Sequence, residues 1–310
     1  MRKPTALEKK VLQTLQDLTA ENTAISASGR EPVPTATEPQ LSVTREEWDD
    51  RVAMAEALKQ AALAGGIPSS WVAHVTERGE KGRYWHPDLW LRPAEQPVDR
   101  AQILAGLRAD ADLLRSITGL QAAAWHFDLH RADEETSSTV DLVMDLMWQR
   151  MVSVARLAAV TAQEARGVWG DAQTWARSAV TDLGALDRAR VAAAWSEAAR
   201  LNAWSYGWQA IGLAEAGVKP KALQRFTPPP KPTDLVELIQ DELAVTGTGA
   251  GTAIAAANLT RAPAAGVESD SGAALFSDSS GSAEAGTDTY AEYADWPTEP
   301  TFSDTDGRSL

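Results

Sequence analysis

Near the start of the chain, Leu7, Val11, Leu15 and Leu18 recur at helical spacing, and Thr5 with Glu8 sets up a capping box in front of them. The pattern predicts an amphipathic helix within residues 1–20. The run 21–42, rich in Thr, Ser, Pro and Ala, then reads as a flexible linker. A helix on such a linker is either a tethered docking peptide or an element folded back on the body. From Val43 to Gly217 the spacing is helical almost throughout, and no alternating strand of useful length occurs. The helices predicted are Arg45–Ala64, Ser69–Arg78, Arg100–Arg131, Thr139–Val168, Ala172–Leu183 and Ala185–Ala216. Thr44 and Asp99 stand at N-cap positions. Long helices with short connections must bury one another's apolar faces, so the expected fold is an all-α multi-helix bundle across residues 43–218.

After Lys219 the pattern changes. The Pro-rich stretch within 219–233, with TPPPKP at its centre, cannot continue a helix and acts as a spacer. Leu235, Leu238 and Ile239 predict one more short helix over 234–244. Residues 245–310 carry too few large apolar side chains to offset the entropy of ordering, which predicts a disordered acidic tail. Within that tail, Tyr290, Tyr293, Trp296 and Phe302 sit among acids, the composition of a short linear segment that binds a protein partner.

Charge sharpens this division. The chain carries −14, of which −8 falls between Thr246 and Leu310, so the remainder is only mildly acidic. Non-specific attraction to DNA or to an anionic membrane is not expected of such a molecule. Cysteine is absent, which excludes disulfides, thiolate metal sites and thiol catalysis and fits a cytoplasmic protein. The N-terminus has no continuous apolar core of a secretory signal, and the uncharged run Leu243–Thr260 is too weakly apolar to span a membrane. The bias towards Ala, Arg, Asp and Trp with little Lys or Asn points to a high-GC bacterial genome or one of its mobile elements.

Eleven of the twelve tryptophans lie between Trp48 and Trp208. Leu201, Trp204, Trp208 and Ile211 share one helical face, which predicts a core stripe. On the long helix from Arg100, the predicted packed side holds Leu104, Leu107, Ala111, Leu114, Gln121 and Trp125. Leu113, Leu120 and Phe127 form a second row, and His126 and His130 fall on the charged arc. Those two histidines are the candidate metal ligands, with His74, His86 or Glu134 as a third. The HExxH signature needs Glu after the first His, but Phe127 stands there. Their place on a solvated face predicts no metal and no other cofactor.

A more specific pattern runs from Ala61 to Gly82. Ala62, Gly66, Ile67, Val72 and Val75 match a small residue at a helix crossing, a turn glycine and three interhelical packing positions. This resembles the helix-turn-helix of bacterial DNA-binding proteins. The resemblance implies a recognition helix that presents Ser69, Ser70, His74 and Arg78 to DNA. Pro68 replaces the usual polar turn residue, and Arg78 is the one cation on that side. The following stretch Lys81–Pro93 concentrates aromatic and cationic residues and reads as a wing or as a loop sealing the bundle with Tyr84, Trp85 and Trp90. There is no phosphate-binding loop, no GxSxG elbow and no closely spaced acid pair in a buried setting. GTGAG at 247–251 lacks the third glycine of a dinucleotide fingerprint. The expectation is a non-enzymatic interaction or structural protein with an unidentified protein partner and no membrane association. The alternatives are a DNA-associated regulator and a helical metalloenzyme.

Overall fold

The computed structural model describes residues 2–27, 45–92, 98–184, 186–218 and 227–258, with Glu46 and residues 246–258 described in backbone only. Among them there are ten helices and no strand, the all-α bundle that the periodicity predicts.

Helix α1 (Ala6–Ala27) begins at the expected capping box: Glu8 N donates to Thr5 Oγ1 at 3.2 Å, and Thr5 N donates to Glu8 Oε2 at 2.7 Å. It runs well past residue 20, and it is not tethered. Val11, Leu12, Leu15 and Ala20 are buried against α2 (Arg45–Ala64) and α3 (Ser69–Glu80). Leu12, Gln16 and Ala20 form a second buried row beside the leucine stripe, because the helix is wedged between two neighbours instead of lying on one.

Helix α4 (Arg100–His126) starts at its predicted cap, where Asp99 Oδ1 accepts from Gln102 N at 3.1 Å. It stops before the expected Arg131, because Asp128 takes φ 56°, a left-handed conformation that Asp tolerates better than most residues. The single helix expected over 139–168 is two. Helix α5 (Glu134–Leu157) ends where Ala159 adopts φ 50°, and α6 (Ala162–Val168) restarts at a capping box of Thr161 and Glu164. Helix α7 (Ala172–Leu183) has the predicted bounds. The predicted helix over 185–216 also divides, into α8 (Arg188–Ala199) and α9 (Ala203–Glu215), each opened by a side-chain cap, Asp187 and Asn202. Helix α10 (Pro232–Asn258) continues beyond the expected boundary at 244, so residues 245–258 of the predicted tail are helical. Residues 259–310, including Tyr290, Tyr293, Trp296 and Phe302, lie outside the described residues.

Helix α9 lies between α2 and α5, α1 covers α2 and α3, and α4 is flanked by α5, α7, α8 and α10. Ile103, Leu107, Ala111, Leu114 and Ile117 carry α4 into the main core, while Ala122 and Ala123 meet α7, α8 and α10 in a smaller cluster with Leu183 and Ile239. Two polar devices fix register. Gln121 accepts from Trp195 Nε1 at 2.6 Å and donates to Ser137 Oγ and Asp141 Oδ1 at 3.1 and 2.8 Å, joining α4, α5 and α8. Arg100 grips Glu164 through Nε and Nη2 at 2.8 and 2.6 Å and donates to the carbonyl of Ala158, tying α4 to the break between α5 and α6.

Candidate functional site

Helix α9 is buried along one side. Ala203, Gly207, Gln209, Ala210, Gly212 and Leu213 are buried. Its glycines allow close approach: a Cβ on Gly207 would lie 3.2 Å from Leu146 of α5, and one on Gly212 would lie 3.2 Å from Leu58 of α2. At 100° per residue, Trp204, Trp208, Ile211 and the exposed Glu215 fall within about 60° of one another on the open side. Trp204 is 53% exposed, Ile211 is 39% exposed and Trp208 is half-buried. The two indole rings sit 6.4 Å apart. Three of the four residues of the predicted core stripe thus face outwards, whereas Leu201 packs on the core, and Ala203, Gly207, Ala210 and Gly212 share the buried side with Leu213 and Gln209.

Behind this strip, Gln209 joins a polar group at the α5–α9 contact. Arg150 Nε donates to Gln209 Oε1 at 2.6 Å, Arg150 Nη1 donates to Asp110, and the guanidinium lies 5.8 Å from the Tyr206 ring. Burial pushes the Asp110 carboxyl up despite its arginine, and burial with the Asp110 charge pushes the Tyr206 hydroxyl up. Nothing in the spacing of these residues along the sequence joined them.

The helix-turn-helix segment is built as its pattern requires. Ala62, Ile67, Val72 and Val75 are buried, and Gly66 turns the chain at φ 82°. A Cβ there would meet Ile103 Cδ1 at 2.5 Å. Ser69, Ser70 and His74 share the exposed side of α3. Arg78 does not join them as a free cation: it is half-buried, and its Nε is sealed without an acceptor. The exposed side of α3 also carries Glu77, whose carboxyl is held low by Lys81. Asp99 lines the same cleft as Ser69 and Ser70.

The loop after α3 is pinned. Gln16 Nε2 donates to the Arg83 carbonyl at 2.7 Å, Trp85 N donates to Asp17 Oδ1 at 2.7 Å, and Trp71 Nε1 donates to the Arg92 carbonyl. Trp85 packs on the core, whereas Tyr84 and Trp90 point outwards, so the loop seals with one of its three aromatics.

Helix α4 ends at His126, and His130 lies beyond the Asp128 turn, so the two are not one turn apart on a helix. The His130 ring stacks on Trp125 with centroids 4.0 Å apart, and His126 meets Phe127 edge-on. Among the described residues no three His, Asp or Glu side chains converge as a metal site. None of the described helices is long and apolar enough to cross a membrane. The chain matches no family model, no curated protein and no solved structure.

Proposed function

We propose that the protein is a non-enzymatic interaction protein that holds a protein partner on its helical body, with the α9 strip as a contact surface. The observation that supports this is the outward-facing Trp204, Trp208 and Ile211 on a helix whose opposite side is buried in the bundle. Large aromatics with few rotatable bonds are the side chains that dominate binding at protein interfaces. The absence of cysteine supports a cytoplasmic setting, and the Ala- and Arg-rich, Lys-poor composition supports a bacterial or mobile-element source.

The test is affinity capture from the native host with full-length protein and with the double variant Trp204→Glu/Ile211→Glu, after both show the same helical melting transition. A protein retained by the first and depleted at least about ten-fold with the second is the expected result, since one lost hot spot is enough for that factor. Identical retained sets would remove the reading. A second reading, contact of α3 with duplex DNA, draws on the Gly66 turn and the buried Ile67, Val72 and Val75. It predicts salt-sensitive binding of a duplex that Ser70→Glu weakens, and no binding at low salt would dispose of it.

A further inference from the structure

Residues 227–232, the TPPPKP stretch that leads into α10, do more than span a gap. Four of the six are proline. The ring fixes φ at each proline, and Thr227, Pro228, Pro229 and Lys231 all precede a proline, which disfavours the helical region. The run is therefore set as a polyproline II segment, in which residues three apart share one edge. Pro229 and Pro232 are such a pair, and both are buried. Thr227, Pro228 and Lys231 are exposed, and Pro230 is half-buried.

The body meets this edge with a tryptophan. Trp148, half-buried on α5 and packed on the main core, donates its indole N–H to the Pro229 carbonyl at 3.1 Å. Proline has no N–H, so such a segment ties itself to a protein through its carbonyls and rings. Among the described residues, that indole is the one hydrogen-bond partner outside α10 that residues 227–231 have. Pro229-Pro230-Lys231-Pro232 has the spacing P-x-x-P. Segments of this kind are taken up by aromatic surfaces in binding modules, because a chain already extended loses little entropy on docking. Here the ligand and the aromatic surface belong to one chain.

The contact is also local. Helix α10 has its own anchorage, since Leu235 and Ile239 are fully buried and the helix packs along α4 and α7. One hydrogen bond and the proline edge hold the residues before it.

We propose that the Trp148 face of α5 is a binding site for proline-rich segments, with residues 227–232 as its built-in occupant. A P-x-x-P segment of a protein partner displaces residues 227–231 and takes the same indole, while α10 stays in place. The tethered copy sets the threshold for this exchange. A ligand linked to its own site acts at millimolar effective concentration, so a weak competitor in solution is kept out. Occupancy of this site does not depend on the α9 strip or on the function proposed above.

The experiment uses the full-length protein, with acetyl-TPPPKP-amide as the probe and acetyl-TGGGKG-amide as its control. Saturation-transfer NMR reads the affinity, and the indole N–H resonance of Trp148, identified by its loss in Trp148→Phe, reads the place. The triple variant Pro228→Gly/Pro229→Gly/Pro230→Gly empties the seat and leaves Pro232 to open α10. That variant should bind the proline peptide saturably, shift the Trp148 resonance and ignore the glycine control. Wild type, where the tethered copy competes, should bind about ten-fold or more weakly. Adding Trp148→Phe to the triple variant keeps a ring and removes the donor, and should weaken binding about five-fold. If circular dichroism shows the triple variant unfolded, Pro229→Ala replaces it with the same expectation and a smaller gain over wild type. No binding by the folded, emptied protein, equal binding by it and by wild type, equal binding of the two peptides, or binding unchanged by Trp148→Phe would each overturn the proposal.

Discussion

Helices α4 and α9 each carry a row of large apolar residues, and they use it in opposite ways. In α4 the row Ile103, Leu107, Leu114 and Ile117 is the buried one, and Trp125 at the far end is left 45% exposed. In α9 the row Trp204, Trp208 and Ile211 faces out, while alanine and glycine, with Leu213 and Gln209, face in. The difference lies in the distance between backbones. The first half of α4 meets its core neighbours through branched side chains that fill the space between helices, whereas α9 approaches α2 and α5 so closely at Gly212 and Gly207 that no larger residue fits there. Bulk and burial are therefore separate properties of a helix face. The tightest contact in a bundle is made by the residues with least hydrophobic character.

This contrast can be broken by mutation. The largest effect belongs to α4: Leu114→Ala deletes a fully buried side chain and should cost about 2–5 kcal/mol, read as a lower midpoint in urea unfolding. In α9 the damaging change is the reverse one. Gly212→Leu forces a side chain against Leu58, which is itself fully buried, and should cost about 1–3 kcal/mol in the same measurement. If Gly212→Leu proved neutral, the close approach of α2 and α9 would be wrong.

The start of α4 offers a smaller and pH-dependent test. The hydrogen bonds from Arg100 hold the Glu164 carboxyl at about 2, below its usual 4.5. A folded pKa below the unfolded one means that the contribution is complete above about 4.5 and is lost as pH falls towards 2. The pair is 38% and 26% exposed, so solvent screening limits it to about 1 kcal/mol. Glu164→Gln should show that deficit at neutral pH, and the two proteins should converge in acid. The smallest effect is at the exposed strip. Trp204→Ser should shift stability by no more than about 0.5 kcal/mol, and a loss comparable to that of Leu114→Ala would return the strip to the core.

Much of this was legible in the sequence. Helices α2 and α7 have the bounds their periodicity implied, and the capping box of Thr5 and Glu8 forms as read. The breaks were harder. Thr161 and Glu164 spell a capping box, but they lie inside a run whose apolar spacing continues smoothly, and the turn before them uses Ala159 in a conformation that alanine seldom adopts. Asn202 likewise caps α9 without a preceding Gly or Pro to announce it. The α9 face was misjudged because hydrophobic periodicity ranks residues by size, and close helix packing inverts that ranking. The group of Asp110, Arg150 and Gln209 had no signal in spacing at all. It exists only once α4, α5 and α9 are brought together.

The hydrogen bonds that pin the loop after α3 also decide how the molecule comes apart. Gln16, Asp17 and Trp71 each hold a backbone group of residues 83–92, and α1 buries Val11, Leu12 and Leu15 against α2 and α3. Detaching the first helix would strand the Arg83 carbonyl and the Trp85 N–H and uncover the side of α3 that carries Val75. Residues 6–27 thus open with the body and not as a frayed end. Their central amides belong with the slowest class in hydrogen exchange, where protection reports the opening of the whole cooperative unit.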